Sequence, residues 1–221
     1  HQVAELLGAR PEEIYCTSGA SEANNWVLKG VCHYWRSKGR HIITTTIEHP
    51  AVLNPCLFLL EEGYEVTFAP VGADGRVDPE AIRRAIRPDT ILISVMHANN
   101  ETGAIQPLSE IAQIAREHGV LIHTDAAQSV SKIPVRVEDL GVDFLTLAGH
   151  KLYAPKGVGA LYIRQGRELT PLIHGASQER GRRAGTENVI LAVALGAACR
   201  LAQDRLAQDQ ILLQERRDQL H

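Results

Sequence analysis

The chain has 221 residues, 44% hydrophobic and 22% charged, with a formal net charge of -3. That is enough apolar material for the core of one large soluble, globular domain, and the slight acidic excess gives neither nucleic acid nor an anionic membrane a bulk positive charge to bind. The longest apolar run, VILAVALGAAC from Val189 to Cys199, falls well short of the roughly 20 residues of a membrane span and is expected to form a buried helix.

The first residues, HQVAELLGA, place Val3, Leu6 and Leu7 on one helical face, as in the tail of a helix already under way. The last, ILLQERRDQLH, stop inside another helical pattern. The chain is therefore expected to be an internal piece of a longer protein, with no signal peptide visible. Between these ends, short runs rich in Val, Ile and Thr alternate with helical patterns. EIYCT, HIITTTI, YEVTFAPV, TILISVMHA, VLIHTD, DFLTLA and VGALYIR read as strands. AVLNPCLFLLEEG, PEAIRRAI and SEIAQIAREHG read as helices. Most strands are too apolar to face water on one side, so the expected fold is α/β, three layers, a mostly parallel sheet with helices on both faces. DFLTLA and VGALYIR are separated only by a short Gly/Pro segment, which predicts an antiparallel edge there.

Four cysteines, Cys16, Cys32, Cys56 and Cys199, share no CxxC spacing. A disulfide framework or zinc site is not expected, and a reducing, cytoplasmic setting fits. Cys16 falls in a strand and the others in helical patterns, which assigns them to the core rather than to a reactive loop. His33, His41, His97, His118 and His174 form no HExxH or similar spacing, so no metal is assigned.

Polar clusters follow five of the strands: TSGASEANN after EIYC, His49 after HIITTTI, HANNETG after TILISVM, TDAAQ after VLIH, and AGHK after DFLTL. Ligands of open α/β sheets bind outside the carboxyl ends of the strands, so these clusters are expected to converge on one site. TSGAS places small residues and hydroxyls just before a helix, a setting for a phosphate or for an ordinary helix cap. No GxxxxGK[ST] or GxGxxG is present. Asp125, after a buried strand, needs a cationic or hydrogen-bonding partner to stay charged, or serves as a helix cap. Lys151 at a strand end either reaches for water or acts as an amine nucleophile. Phosphate cradle, buried acid and amine together point to pyridoxal phosphate, whose ring nitrogen pairs with an acid and whose aldehyde forms a Schiff base with a lysine.

TSGASEANN, EHPAVL, HANNETG, HTDAAQSVSKIPV, DFLTLAGHKLYAPKGVGALYIR and QERGRRAGTEN, in this order and over nearly the whole chain, resemble the cysteine desulfurase and selenocysteine lyase family. That family lies within the class V aminotransferase group of fold type I pyridoxal phosphate enzymes. The resemblance implies the large domain of that fold over residues 1–205, with 206–221 beginning the connection to a C-terminal small domain. It implies that Lys151 holds the cofactor covalently and that Asp125 pairs with the ring nitrogen. His49 would lie against the ring and assist proton transfer, and Asn100 and Gln128 would bond the ring oxygen. Ala20, Ser21 and His150 would bind the phosphate, and Thr186 would reach the phosphate of a neighbouring subunit, implying a homodimer. The implied reaction releases alanine and a sulfur or selenium species from cysteine or selenocysteine, with a sulfur-acceptor or scaffold protein as a further partner.

The loop cysteine and carboxylate-binding arginine of such enzymes are expected further along the chain, which leaves this piece inactive alone. Three positions depart from the family pattern. Ala148 stands where a hydroxyl residue is common, Ala154 where glycine is usual, and Ala176 and Ser177 in place of a glycine run; strain is expected at the latter positions if their backbone needs positive φ. A class V aminotransferase is the first alternative, disfavoured by the EHP and RRAGTEN blocks. A non-catalytic remnant of the same fold is the second.

Overall fold

The structure is a computed structural model that describes residues 1–219. Seven strands form one sheet: β1 (Ile14–Thr17), β2 (His41–Thr45), β3 (Glu65–Ala69), β4 (Thr90–Ser94), β5 (Leu121–Asp125), β6 (Phe144–Ala148) and β7 (Gly159–Ile163). Their order is β1-β7-β6-β5-β4-β2-β3. β3, β2, β4, β5 and β6 pair in parallel, whereas β7 runs antiparallel to both β6 and β1. The antiparallel pair expected from the short connection is present, but it is not an edge. β1 returns from the far end of the sequence to pair outside β7, Ile14 opposite Tyr162 and Thr17 opposite Gly159.

Successive strand residues point to opposite faces, and the core divides accordingly. Ile42, Leu92, Leu121, Phe144 and Leu161 pack in one cluster with Trp26 and Val31 of α2 (Ala20–Trp35) and Val52 and Leu59 of α3 (Pro50–Glu61). Their neighbours Ile43, Ile93, Ile122, Leu145 and Tyr162 face the other way. There they meet α1 (Gln2–Leu7), α4 (Pro79–Ala85), α5 (Leu108–Glu117), α6 (Val137–Leu140) and α7 (Val189–Asp218) through residues such as Leu7, Ile82, Ile111, Val137 and Leu195. Strands buried on both sides are why the sequence shows continuous apolar runs rather than alternation. Truncating Phe144 or Leu92 to alanine is worth about 2–5 kcal/mol of stability.

The helix predicted from the apolar run at 189–199 forms, but it is not buried as expected. Leu195, Ala198 and Cys199 are covered, yet Val189, Ile190 and Val193 are 64%, 81% and 67% exposed. Only one side of α7 rests on α1 and on the turn after β6, so an all-round apolar surface is left half bare. α7 also runs unbroken across residues 205 and 206. The last two residues of the 206–221 segment lie outside those described. No helix among the described residues is long and apolar enough to cross a membrane.

Candidate active site

A cavity of about 380 Å³ opens where β1, β2, β4, β5 and β6 end, and all five predicted polar clusters contribute to its wall. Ser18–Glu22 come from the β1–α2 turn, His49 from the turn before α3, Asn100 from the loop after β4, Asp125 and Gln128 from the end of β5, and Ala148, His150 and Lys151 from the end of β6.

The α2 end of the cavity is built for an anion. Gly19 is the N-cap, so the first N–H groups of the helix, from Ala20 and Ser21 onward, have no acceptor inside the helix, and the helix dipole adds positive potential. Glu22 braces this turn. Its carboxylate accepts the Ser18 N–H at 2.8 Å and both arms of Arg183, at 2.8 and 3.1 Å. Gly159 lets the turn lie against β7: a Cβ there would sit 2.8 Å from the Gly19 Cα and 2.6 Å from the Leu147 carbonyl.

Asp125 forms the floor. It is 5% exposed; one oxygen accepts the Asn24 amide at 2.6 Å and the other the Ala127 N–H at 2.9 Å. Burial nevertheless pushes its carboxyl above the ordinary range, against the opposing pull of these two donors and of His49. Asp125 makes no salt bridge among the described residues, so an acid so placed calls for a cation within reach.

The rim is exposed. His49 caps α3 through Nδ1, which accepts the Ala51 N–H at 3.1 Å. That bond places the proton of the neutral ring on Nε2. At the loop after β4 two adjacent asparagines divide the work. Asn99 closes the turn, its side-chain oxygen accepting the N–H groups of Glu101 and Thr102 at 2.9 Å each. Asn100 is left facing the cavity. His150 and Lys151 ride on a short 3-10 turn, Gly149–Leu152, and both are exposed. The turn packs closely because Gly149 has no side chain: a Cβ there would come 2.6 Å from the Val158 carbonyl. Lys132 donates to the Lys151 carbonyl at 3.2 Å. The sequence places Lys151 at the end of a buried strand; the structure puts the burial in β6 and the amine at the mouth.

Eight of the nine predicted site residues thus line one cavity: Ala20, Ser21, His49, Asn100, Asp125, Gln128, His150 and Lys151. Thr186 does not; it is exposed in the loop before α7. Ala148 lines the cavity with a methyl group and brings no hydrogen bond there. The strain anticipated at Ala154, Ala176 and Ser177 is absent, since none has positive φ. The turn places Tyr153 at φ 65° instead, so the neighbour of Ala154 takes the left-handed conformation. The cysteines are free, as expected; burial pushes the thiols of Cys56 and Cys199 up to about 12, that of Cys16 to about 11, and that of Cys32 higher still. No group of three metal-ligating side chains occurs among the described residues. His41 is a strand residue held between the Thr90 and Thr67 hydroxyls at 2.7 and 2.8 Å. Sequence reasoning missed Asn24, the side chain that holds Asp125. Its one signal is an amide on the apolar face of α2, spaced with Ala20, Val27 and Val31.

An α/β sheet with an anion-binding helix start, a buried acid and an amine at one cavity defines a class, and residues 1–220 match the family described as Aminotransferase class-V. The chain belongs to that family, whose cofactor is pyridoxal phosphate. It is 51% identical over 217 residues to a protein named cysteine desulfurase IscS from Dictyoglomus turgidum, covering 98% of this chain and 55% of that one. Among solved structures, a NifS-like protein superposes with a TM-score of 0.91 at 43% identity, covering 94% of this chain and 57% of the other. A structure described as SspA in complex with cysteine superposes with a TM-score of 0.87 at 47% identity, covering 90% of this chain and 58% of the other. The chain spans about half the length of the relatives it matches.

The cavity fits the family cofactor on its own features. Its volume accommodates a phosphorylated pyridine ring, its α2 end suits a phosphate, and its buried acid, in no salt bridge among the described residues, suits a protonated ring nitrogen.

Proposed function

We propose that the protein carrying this chain is a pyridoxal-phosphate-dependent cysteine desulfurase or selenocysteine lyase, releasing alanine and a sulfur or selenium species from the amino acid. The observation that carries this reading is the placement of Asp125, buried, and Lys151, a primary amine, in the walls of one cavity that also holds a helix start. Among substrates, the similarity to a protein solved with cysteine favours cysteine.

When bound, pyridoxal phosphate supplies an electron sink for negative charge developing at the substrate α-carbon. The chain supplies everything that orients it. The N–H groups of Ala20 and Ser21, with His150, would hold the phosphate. Asp125 would hold the ring nitrogen in its protonated form, and Asn100 and Gln128 would bond the ring oxygen. Lys151 would provide the amine that holds the cofactor and a base within reach of the substrate α-proton. His49 carries its proton on Nε2 and hands it to, or takes it from, the substrate. Thr186, exposed and outside the cavity of its own chain, serves the phosphate of a second copy, which makes the working unit a homodimer. Residues 1–205 act as the cofactor-binding domain and 206–221 begin the connection to the remainder. A cytoplasmic location and transfer of sulfur to an acceptor or scaffold protein complete the reading.

The test is borohydride reduction of the cofactor-loaded protein followed by peptide mapping. The pyridoxyl group is expected on Lys151 and to disappear in Lys151→Ala. Label on another lysine overturns the assignment.

A further inference from the structure

We propose that Glu48 is a positioning residue of the cavity: its buried carboxyl ties the turn carrying His49 to the end of β4 and so fixes where the imidazole stands. The proposal rests on the functional reading above for its purpose, and on the fold for its geometry.

Glu48 is 4% exposed. One of its oxygens, Oε1, accepts the Thr45 hydroxyl at 2.7 Å and the Met96 N–H at 2.9 Å. Thr45 is the last residue of β2, and Met96 lies just beyond β4 and lines the cavity. A single carboxyl oxygen therefore brackets the ends of two adjacent parallel strands at the point where His49 and Met96 reach the cavity wall. The other oxygen, Oε2, is buried and has no partner. Both donors converge on Oε1, so the carboxyl is anchored through that one oxygen. Burial pushes Glu48 up to about 8, and the nearby charge of Asp125 works in the same direction. The titratable groups facing it are Asp125 on β5 and Cys56 on α3, whose thiol is itself pushed up to about 12. No salt bridge to Glu48 is found among the described residues.

Neutrality is what suits the site. An ionised Glu48 would place a second negative charge near Asp125 and leave a bare anionic oxygen in a dry environment. As an acid, it avoids that repulsion and still holds the two strand ends together.

The experiment compares wild type, Glu48→Gln, Glu48→Ala and Thr45→Val in the whole protein, with thermal melting to verify folding. Two readouts are taken at pH 7: pyridoxal phosphate affinity by absorbance titration, and the His49 imidazole resonance and its pH titration by NMR in cofactor-free protein. Glu48→Gln, neutral and able to accept both donors, is expected to keep the affinity within about twofold and the His49 signal unchanged. Glu48→Ala is expected to weaken binding about tenfold or more, the scale of a buried donor left without its acceptor, and to move the His49 resonance. Thr45→Val, which leaves Glu48 in place but removes one donor, should fall between them. A wild-type His49 signal in Glu48→Ala overturns the proposal, and so does a Glu48→Gln protein as impaired as Glu48→Ala. Should Glu48→Ala fail to fold, a perturbed His49 in Thr45→Val with a normal one in Glu48→Gln supports the proposal and the reverse overturns it. If wild type takes up no cofactor, the functional reading falls, while the His49 resonances still decide the role of Glu48.

Discussion

The floor and the rim of the cavity are built to different standards. Asp125, Asn24 and Glu48 are buried and hydrogen-bonded: Asn24 donates to Asp125, and Glu48 accepts from Thr45 and Met96. Ser21, His49, Asn100, His150 and Lys151, by contrast, are exposed. The contrast separates what the sheet fixes unaided from what a ligand must order. A floor set by strand ends is rigid before anything binds, whereas rim side chains still have their rotamer freedom to lose.

The largest expected effect tests whether the rim is complete. The 221-residue chain alone should release alanine from cysteine or selenocysteine at no enzyme-like rate, because substrate orientation contributes several kcal/mol of barrier lowering, about 7–11 kcal/mol at best. Measuring alanine release by this chain beside the whole protein checks it; equal turnover would show the rim to be sufficient.

Next comes the floor. Asp125→Asn in the whole protein should retain some cofactor but lose turnover by ~10²- to 10³-fold, the usual scale for removing one preorganised electrostatic group. The amide can still hold the Ala127 N–H, but it cannot keep a proton on the ring nitrogen. Steady-state kinetics at matched cofactor occupancy decides this.

The floor also contributes a pH signature. His97 and His123 are buried beside the strands that end there, and burial lowers them to about 4 and about 3. In the unfolded chain each takes up a proton near pH 6.5. Their contribution is therefore whole above pH 6.5 and drains as pH falls toward the folded values, by about 1.4 kcal/mol per pH unit for each histidine. Glu48 has the opposite sign: raised to about 8, it favours the folded state below pH 4.5 and loses that contribution as pH rises through 8. Denaturant titrations from pH 4.5 to 8.5 on wild type and His97→Gln should show the two curves converging below pH 6.5.

The smallest effect belongs to Ala148. Ala148→Ser restores a hydroxyl at the cavity wall and should tighten cofactor binding a few-fold, in line with one hydrogen bond of about 1 kcal/mol.

Much of this was legible in the sequence because strand ends carry the chemistry. Lys151, Asp125 and His49 stand out as polar residues that halt apolar runs, and the runs themselves give the strands to within a few residues. The unread parts have a common physical origin. Asn24 and Glu48 are polar groups inside apolar surroundings, and a linear pattern does not reveal which distant backbone or carboxylate satisfies them. The apolar run of α7 signals that something covers it, but not whether that cover is the same chain. The place of β7 inside the sheet was hidden because its outer neighbour, β1, lies at the opposite end of the sequence.

That pairing governs the order in which the molecule is assembled. β1 is the first strand of the sheet to be made, yet the strand it docks against, β7, is the last of the seven. The anion-binding turn after β1 rests on Gly159 of β7, so the cavity cannot close until that residue has left the ribosome. Until then β1 and the start of α2 are a tethered segment awaiting a very non-local contact, the slowest kind to form. The cavity is consequently completed late in the life of the nascent chain, when β7 and the Lys151 turn just ahead of it have both emerged.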